Sequence, residues 1–197
     1  VLVVNKAVPA GTVRELIEFI KGQDGKANMG SAGAGTPGHL AGEMFKSAMG
    51  LQFTHVPYRG GAPAINDLLG GQIQFLFTTI PGVLPQIQAG NARALAVTSP
   101  QRSSALPDVP TMVEAGVPNF RALSWHGIVA PAGTPPAVVE TLDRAFTASL
   151  ATPKVKERLD QEGAIPASLH AGEFGAFIKQ EIDTWGKAVK SSGASVQ

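Results

Sequence analysis

No cysteine occurs among the 197 residues, which excludes disulfides, thiolate metal ligands and a cysteine nucleophile, and leaves the redox compartment open. An excess of one charge is missing too: 16 Lys and Arg stand against 15 Asp and Glu. Without a basic stripe to neutralise phosphates, nucleic acid is not an expected partner. Long apolar runs are also lacking, since Gly, Pro or a polar side chain interrupts each one well short of the ~20 residues a bilayer-spanning helix needs. The chain reads as soluble. It opens directly on the strand-like Val1-Leu2-Val3-Val4, with no charged leader or cleavage site ahead of it, so upstream sequence is expected to be missing.

The chain has 44% hydrophobic and 16% charged residues, enough for one generous core or two modest ones. From Val1 to about Ser124, short β-type runs alternate with amphipathic segments bounded by turn residues, the pattern of βα units around a mainly parallel sheet. Five strands are expected: Val1 to Val4, Ala27 to Gly30, Phe53 to Val56, Ile73 to Phe77 and Ala92 to Thr98. The first helix is marked by a Thr12-x-x-Glu15 capping box, with Val13, Leu16, Ile17 and Ile20 on one face. The second opens at Thr36-Pro37 and ends near Gly50. A third covers Pro63 to Leu69, and a fourth runs from Gly82 to Ala89 and stops at Gly90. After Leu106-Pro107-Asp108-Val109-Pro110, one more short helix is expected to end at Gly116.

Phe120 to Ala130 reads as an extended run that can cross between lobes. Beyond it the helical segments Ala137 to Leu150, Lys154 to Glu162 and Gly172 to Lys190 have no βαβ core of their own. The last carries Phe174, Phe177, Ile178, Ile182, Trp185 and Val189 at helical spacing, a stripe too apolar to face water alone. It must pack on the first unit, on missing sequence or on another copy of the chain, so self-association through an orphaned surface is expected.

Three strand-to-helix junctions carry the candidate chemistry. The first, Asn28-Met29-Gly30-Ser31-Ala32-Gly33-Ala34-Gly35-Thr36-Pro37-Gly38-His39, runs through a glycine-rich turn into a helix. Such a turn presents backbone N–H groups to an anion, helped by the helix dipole and by the Ser31 and Thr36 hydroxyls; the alternative is that the glycines only make a tight turn. At the second junction, Val56-Pro57-Tyr58-Arg59-Gly60-Gly61-Ala62-Pro63, Arg59 offers a bidentate grip on a carboxylate and Tyr58 an aromatic wall, against the alternative of a solvated Arg beside a packed Tyr. At the third, Phe77-Thr78-Thr79-Ile80-Pro81, two hydroxyls stand at a strand mouth, where Thr79 is equally suited to plain capping. In open α/β sheets such carboxyl-end junctions are where ligands bind.

Other chemistries have weaker support. Gly33-x-Gly35-x-x-Gly38 formally matches a dinucleotide fingerprint, but the next strand ends in Thr54-His55-Val56-Pro57 with no ribose-binding carboxylate. A nucleotide-dependent enzyme using the Gly33 to Gly38 turn remains the alternative function. His39, His55, His126 and His170 lack metal-pairing spacing, and Ser31 does not lie in a Gly-x-Ser-x-Gly elbow. No catalytic residue, metal or cofactor is expected.

Taken in order, Gly30-Ser31-Ala32-Gly33-Ala34-Gly35-Thr36 with His39-Leu40-Ala41-Gly42-Glu43, then His55-Val56-Pro57-Tyr58-Arg59-Gly60, Asp67-Leu68-Leu69-Gly70-Gly71-Gln72, Arg93-Ala94-Leu95-Ala96-Val97-Thr98, Leu106-Pro107-Asp108-Val109-Pro110-Thr111 and Ala130-Pro131-Ala132-Gly133-Thr134-Pro135, the chain resembles the substrate-binding proteins of tripartite tricarboxylate transporters, the Bug family of extracytoplasmic receptors. The resemblance implies an α/β, periplasmic-binding-protein-like Venus flytrap that closes on a small carboxylate and feeds a membrane permease from the periplasm. It implies that residues 1–124 form the second lobe, complete, and that 125–197 form the C-terminal, mainly helical part of the first lobe. It places ligand contacts at Ser31, Gly33, Gly35, Thr36 and His39, at Tyr58, Arg59, Gly60 and Gly61, and at Thr78 and Thr79. Two departures stand out. Roughly the first third of such a chain, with a further ligand loop, is absent, and Thr78-Thr79 stand where many relatives carry an acidic residue.

Overall fold

The computed structural model describes residues 1–167 and 169–192. Five strands and four helices alternate in the first half: β1 Leu2–Asn5, α1 Val13–Gly22, β2 Asn28–Ser31, α2 Pro37–Met49, β3 Thr54–Pro57, α3 Gly61–Leu69, β4 Phe75–Phe77, α4 Ile80–Gln88 and β5 Ala92–Ala96. Three helices follow: α5 Pro136–Ala151, α6 Pro153–Glu162 and α7 Ala171–Ser192. The strands lie within a few residues of their expected positions.

The strands form one sheet in the order β3-β2-β4-β1-β5. Strands β3, β2 and β4 run parallel to one another, so the loops that leave their carboxyl ends share one edge. Strand β1 departs from the expected pattern, since it is antiparallel to both β4 and β5. The reason is physical: Leu2-Val3-Val4 is buried on both faces, and a doubly buried apolar run carries no sign of its direction.

Side chains alternate between two cores across the sheet. Leu2 and Val4 of β1 and Phe75 and Phe77 of β4 join Leu16, Ile20, Met29 and Phe45 under α1 and α2. Val3 and Leu76 point the other way, to Ile65, Leu68, Val83 and Leu84 of α3 and α4. With both faces covered, only the sheet's ends are open to a ligand. The capping box predicted for α1 is present: Glu15 N–H donates to Thr12 Oγ1 at 3.2 Å and Thr12 N–H to Glu15 Oε2 at 3.1 Å.

The helix expected to end at Gly116 is a single turn. Thr111 and Glu114 cap each other reciprocally, Ala115 N–H donates to Thr111 O, and Gly116 turns out with φ 92°. The preceding residues are recruited to the sheet instead, through a parallel bridge between Val97 and Thr111, which leaves too few residues for a second turn.

The extended segment after Phe120 leaves the sheet at Ala122, whose N–H donates to Thr98 O, and is anchored by α7. Glu181, 2% exposed, pairs with Arg121 at 2.7 Å and accepts from the indole N–H groups of Trp125 and Trp185, each at 3.1 Å. Trp125 also meets Phe174 and Phe177 edge-on. Helix α7 therefore docks through Glu181, Trp185 and Ala188, and through Phe174 and Phe177 on Trp125, but not along the whole predicted stripe, since Ile182 is 64% exposed. No residue of α5 or α6 is buried, and Val138, Leu142, Phe146 and Ile165 face outward. Residues 193–197 of the expected C-terminal unit lie outside the described residues. Among the described residues no helix is long and apolar enough to cross a membrane.

Candidate anion-binding site

Three loops meet at the carboxyl edge of the parallel strands: Ser31 to Thr36 after β2, Tyr58 to Gly60 after β3, and Thr78-Thr79 after β4. The first two are bonded directly, Tyr58 N–H to Ser31 O and Gly60 N–H to Ala32 O, both at 3.0 Å. The third is fixed by Thr78 N–H donating to Val1 O. Gly33, Gly35 and Gly60 adopt φ of 143°, 75° and 115°, a region that side chains strongly disfavour.

Not every predicted donor faces outward. Gly33 N–H donates to Ser31 Oγ at 3.2 Å and Gly35 N–H to His39 Nδ1 at 3.0 Å, while the Thr36 hydroxyl donates to Gly33 O at 2.7 Å. Ser31 and His39 are themselves buried. They brace the turn from within, so a ligand would meet the backbone they hold. The amides of Gly38 and His39 in α2, of Gly61 and Ala62 in α3, and of Ile80 and Gly82 in α4 have no acceptor among the described residues. These are the first-turn donors that a helix leaves unpaired, and they carry the positive end of its dipole. Three such helix starts stand behind one edge.

The neighbouring side chains divide into framework and free groups. Tyr58 is half-buried, and its hydroxyl donates to Asp67 Oδ2 at 2.7 Å. Burial first, and then the Asp67 carboxylate, pushes the phenol up to about 12. Arg59 is exposed and forms no ion pair among the described residues, so it is a free cation at the rim. Thr78 is half-buried and Thr79 exposed; Thr79 occupies the N-cap position of α4 without a side-chain capping bond. A side chain on Gly82 would meet both Thr hydroxyls, which puts them at the first turn of α4.

Two residues acquire roles that motif reading did not assign. Gly38, the third glycine of the formal fingerprint, lets α2 press against the carbonyl of Phe77, where any β-carbon would collide. His55 stacks on His39 with ring centroids 3.8 Å apart and reaches Ser31 Oγ at 2.7 Å. The signal for His55 lay in the register, because Met29 pairs with His55 and Met29 packs against Gly42 of α2. Among the described residues no group of three His, Cys, Asp or Glu side chains could hold a metal ion.

The family profile described as tripartite tricarboxylate transporter family receptor matches residues 1–194. The chain belongs to this family. Protein BugT of Bordetella pertussis is 35% identical over 197 residues, which is all of this chain and 60% of BugT. The solved structure titled R. palustris Rpa4515 with adipate superposes with a TM-score of 0.91 at 34% identity, covering 98% of this chain and 65% of that one. MatC (Rpa3494) from Rhodopseudomonas palustris with bound malate gives 0.85 at 28% identity, covering 95% and 65%. The chain thus spans about three-fifths to two-thirds of the length of these relatives. The periplasmic-binding-protein fold expected from the sequence is the fold of these neighbours. The family profile is that of a receptor, and the neighbours include the structure of periplasmic binding protein BugD, with a TM-score of 0.87 at 37% identity, covering 100% of this chain and 66% of that one.

Proposed function

We propose that this chain is the carboxylate-gripping part of a periplasmic receptor that delivers a small dicarboxylate to a membrane permease. The reading is carried by the unpaired first-turn amides of α2, α3 and α4 at one sheet edge, with the free guanidinium of Arg59 beside them. Backbone donors held by a folded framework need no reorganisation to receive an anion, and a helix start favours negative charge. Ser31, Gly33, Gly35, Thr36 and His39 shape the α2 loop; Tyr58, Arg59, Gly60 and Gly61 shape the α3 loop; Thr78 and Thr79 supply hydroxyls at α4. The neighbours solved with adipate and with bound malate support a ligand bearing two carboxylates.

Residues 1–124 constitute one lobe in this reading, and the segment from 125 through α5 and α6 belongs to the facing lobe, with α7 crossing back to pack on α2. The exposed apolar groups of α5, with Ile128 and Val129 at 64% and 76% exposure, fit a surface that more sequence of the kind found in the relatives would cover. Closure of the two lobes would trap ligand, because contacts from both exist only in the closed state. Calorimetry with dicarboxylates, amino acids and aromatic acids tests the proposal on this chain and on a version extended to the length of the relatives. Tighter dicarboxylate binding by the extended form supports it. Equal tight binding by both refutes the division between lobes, and a preference for uncharged solutes refutes the carboxylate reading.

A further inference from the structure

His39 of α2 and His55 of β3 lie face to face, with planes 13° from parallel, and each holds the glycine-rich turn through one nitrogen. His39 Nδ1 accepts the Gly35 N–H, so this nitrogen carries no proton and a neutral ring must carry its proton on Nε2. His55 Nε2 contacts Ser31 Oγ, and that hydroxyl bridges both backbone groups of Gly33, donating to its carbonyl at 3.0 Å and accepting its N–H. A proton added at His39 Nδ1 sets two donors against each other and removes Gly35's acceptor. A second proton on His55 places like charges on two rings in contact.

We propose that the stacked pair is an acid-labile latch, which when neutral holds the turn from Ala32 to Thr36 in its receiving shape and on protonation of His39 releases Gly35, so that carboxylate capture weakens in acid. This inference rests on the carboxylate reading above. The charges that reach the pair come from α2 alone: Glu43 Oε1 lies 3.9 Å from His39 Nε2 and is paired with Lys46 at 3.0 Å. Strand β2 contributes the neutral Ser31 hydroxyl, and β4 and α7, which also pack on α2, add no charge to it. Burial, then the neighbouring His39 and Lys46, holds His55 down to about 4, and burial lowers His39 below the ordinary 6.5. The latch is therefore closed at neutral pH. A protonated imidazole near an anion would by itself tighten binding, so the direction of the effect separates a latch from simple charge attraction.

The test follows the Gly35 amide and the histidine rings by NMR from pH 8 to 4, and in parallel measures affinity for adipate. The Gly35 amide is expected to shift along the His39 titration and to lose protection, its exchange rising toward the rate of an unstructured amide at each pH as the bond to His39 is lost. In His39→Asn the side-chain oxygen replaces Nδ1 as acceptor without titrating, and Gly35 should stay flat. Adipate affinity should fall at least about tenfold more in the parent than in the Asn variant, a comparison that cancels the ligand's own protonation. A Gly35 amide indifferent to His39, adipate binding that tightens in acid, or matching pH profiles for parent and variant would each overturn the latch. If adipate fails at any pH to bind the version extended to the length of the relatives the carboxylate reading falls, while Gly35 in the parent still decides the latch.

Discussion

Trp125 and Glu181, 56 residues apart in sequence, meet in a hydrogen bond of 3.1 Å that fastens the segment leaving the sheet to the last helix. Arg121 and Trp185 converge on the same carboxylate. Trp125 and Trp185 are the only two tryptophans in the chain, so selectively excited tryptophan fluorescence reports on this junction. Glu181→Ala leaves Arg121 and two indole donors without their acceptor. Arg121 is 32% exposed and can hydrate, so the loss should be about 1–3 kcal/mol, the cost of leaving buried donors unpaired. Urea unfolding followed by tryptophan emission checks this, and a loss below about 1 kcal/mol would mean that the junction contributes little.

Gly38 and Gly61 open α2 and α3 at the same edge but meet different surroundings. A β-carbon at Gly38 collides with the Phe77 carbonyl, whereas one at Gly61 has nothing within 4 Å. Gly38→Ala should destabilise by about 1–3 kcal/mol, and Gly61→Ala should be neutral or raise stability by up to about 1 kcal/mol. Thermal unfolding of the two variants side by side separates a glycine needed for close packing from one that is only permitted.

Arg59 and Tyr58 are adjacent in sequence and opposite in role. Arg59→Ala should leave stability within about 0.5 kcal/mol and weaken adipate binding by roughly 10- to 100-fold, the range of a charge-assisted hydrogen bond. Tyr58→Phe removes the bond to Asp67 and should cost about 1 kcal/mol of stability with little change in affinity. Calorimetry combined with denaturation distinguishes the two; an affinity loss confined to Tyr58→Phe would reverse the assignment.

Acid should weaken the fold through the histidine pair. Both rings titrate lower when folded than the ordinary 6.5, His55 at about 4, so the unfolded chain binds more protons in that interval and stability falls as pH drops from 6.5 toward 4. Above 6.5 the contribution is constant. With allowance for solvent screening, His55 accounts for about 1–2 kcal/mol. Denaturation midpoints at intervals from pH 8 to 4 should keep a constant separation between the parent and His55→Gln above 6.5, and the parent should lose stability relative to the variant as pH falls from 6.5 toward 4.

The parts of the fold legible in sequence were those with local causes. The Thr12/Glu15 box, the Pro37 start and the glycines at the ends of helices mark their elements by short-range chemistry. The gathering of the three loops at one edge was legible because βα order puts the loops after parallel strands on one side. The direction of β1 was not legible, since a doubly buried Leu-Val-Val run reads alike both ways. The apolar stripe of α7 is legible at Phe174, Phe177 and Trp185, but its anchor is not, because that is a buried carboxylate, Glu181, whose partners Arg121 and Trp125 lie far off in sequence. His39 and His55 were separated for a similar reason: their stacking depends on β2–β3 register and on α2 lying close over Met29, neither of which shows in spacing. The segment before Gly116 spells a helix locally, and its bridge to Val97 overrides that.

The central claim is that the starts of α2, α3 and α4 form a seat for carboxylate, and titrating the 15N-labelled chain with adipate to millimolar concentration tests it most directly. Amide shift changes are expected to concentrate at Gly38 and His39, Gly61 and Ala62, and Ile80 and Gly82, and to saturate together. The claim is contradicted if those amides stay still, or if the changes gather instead around the concavity of about 650 Å³ lined by Arg102, Glu114 and Arg121.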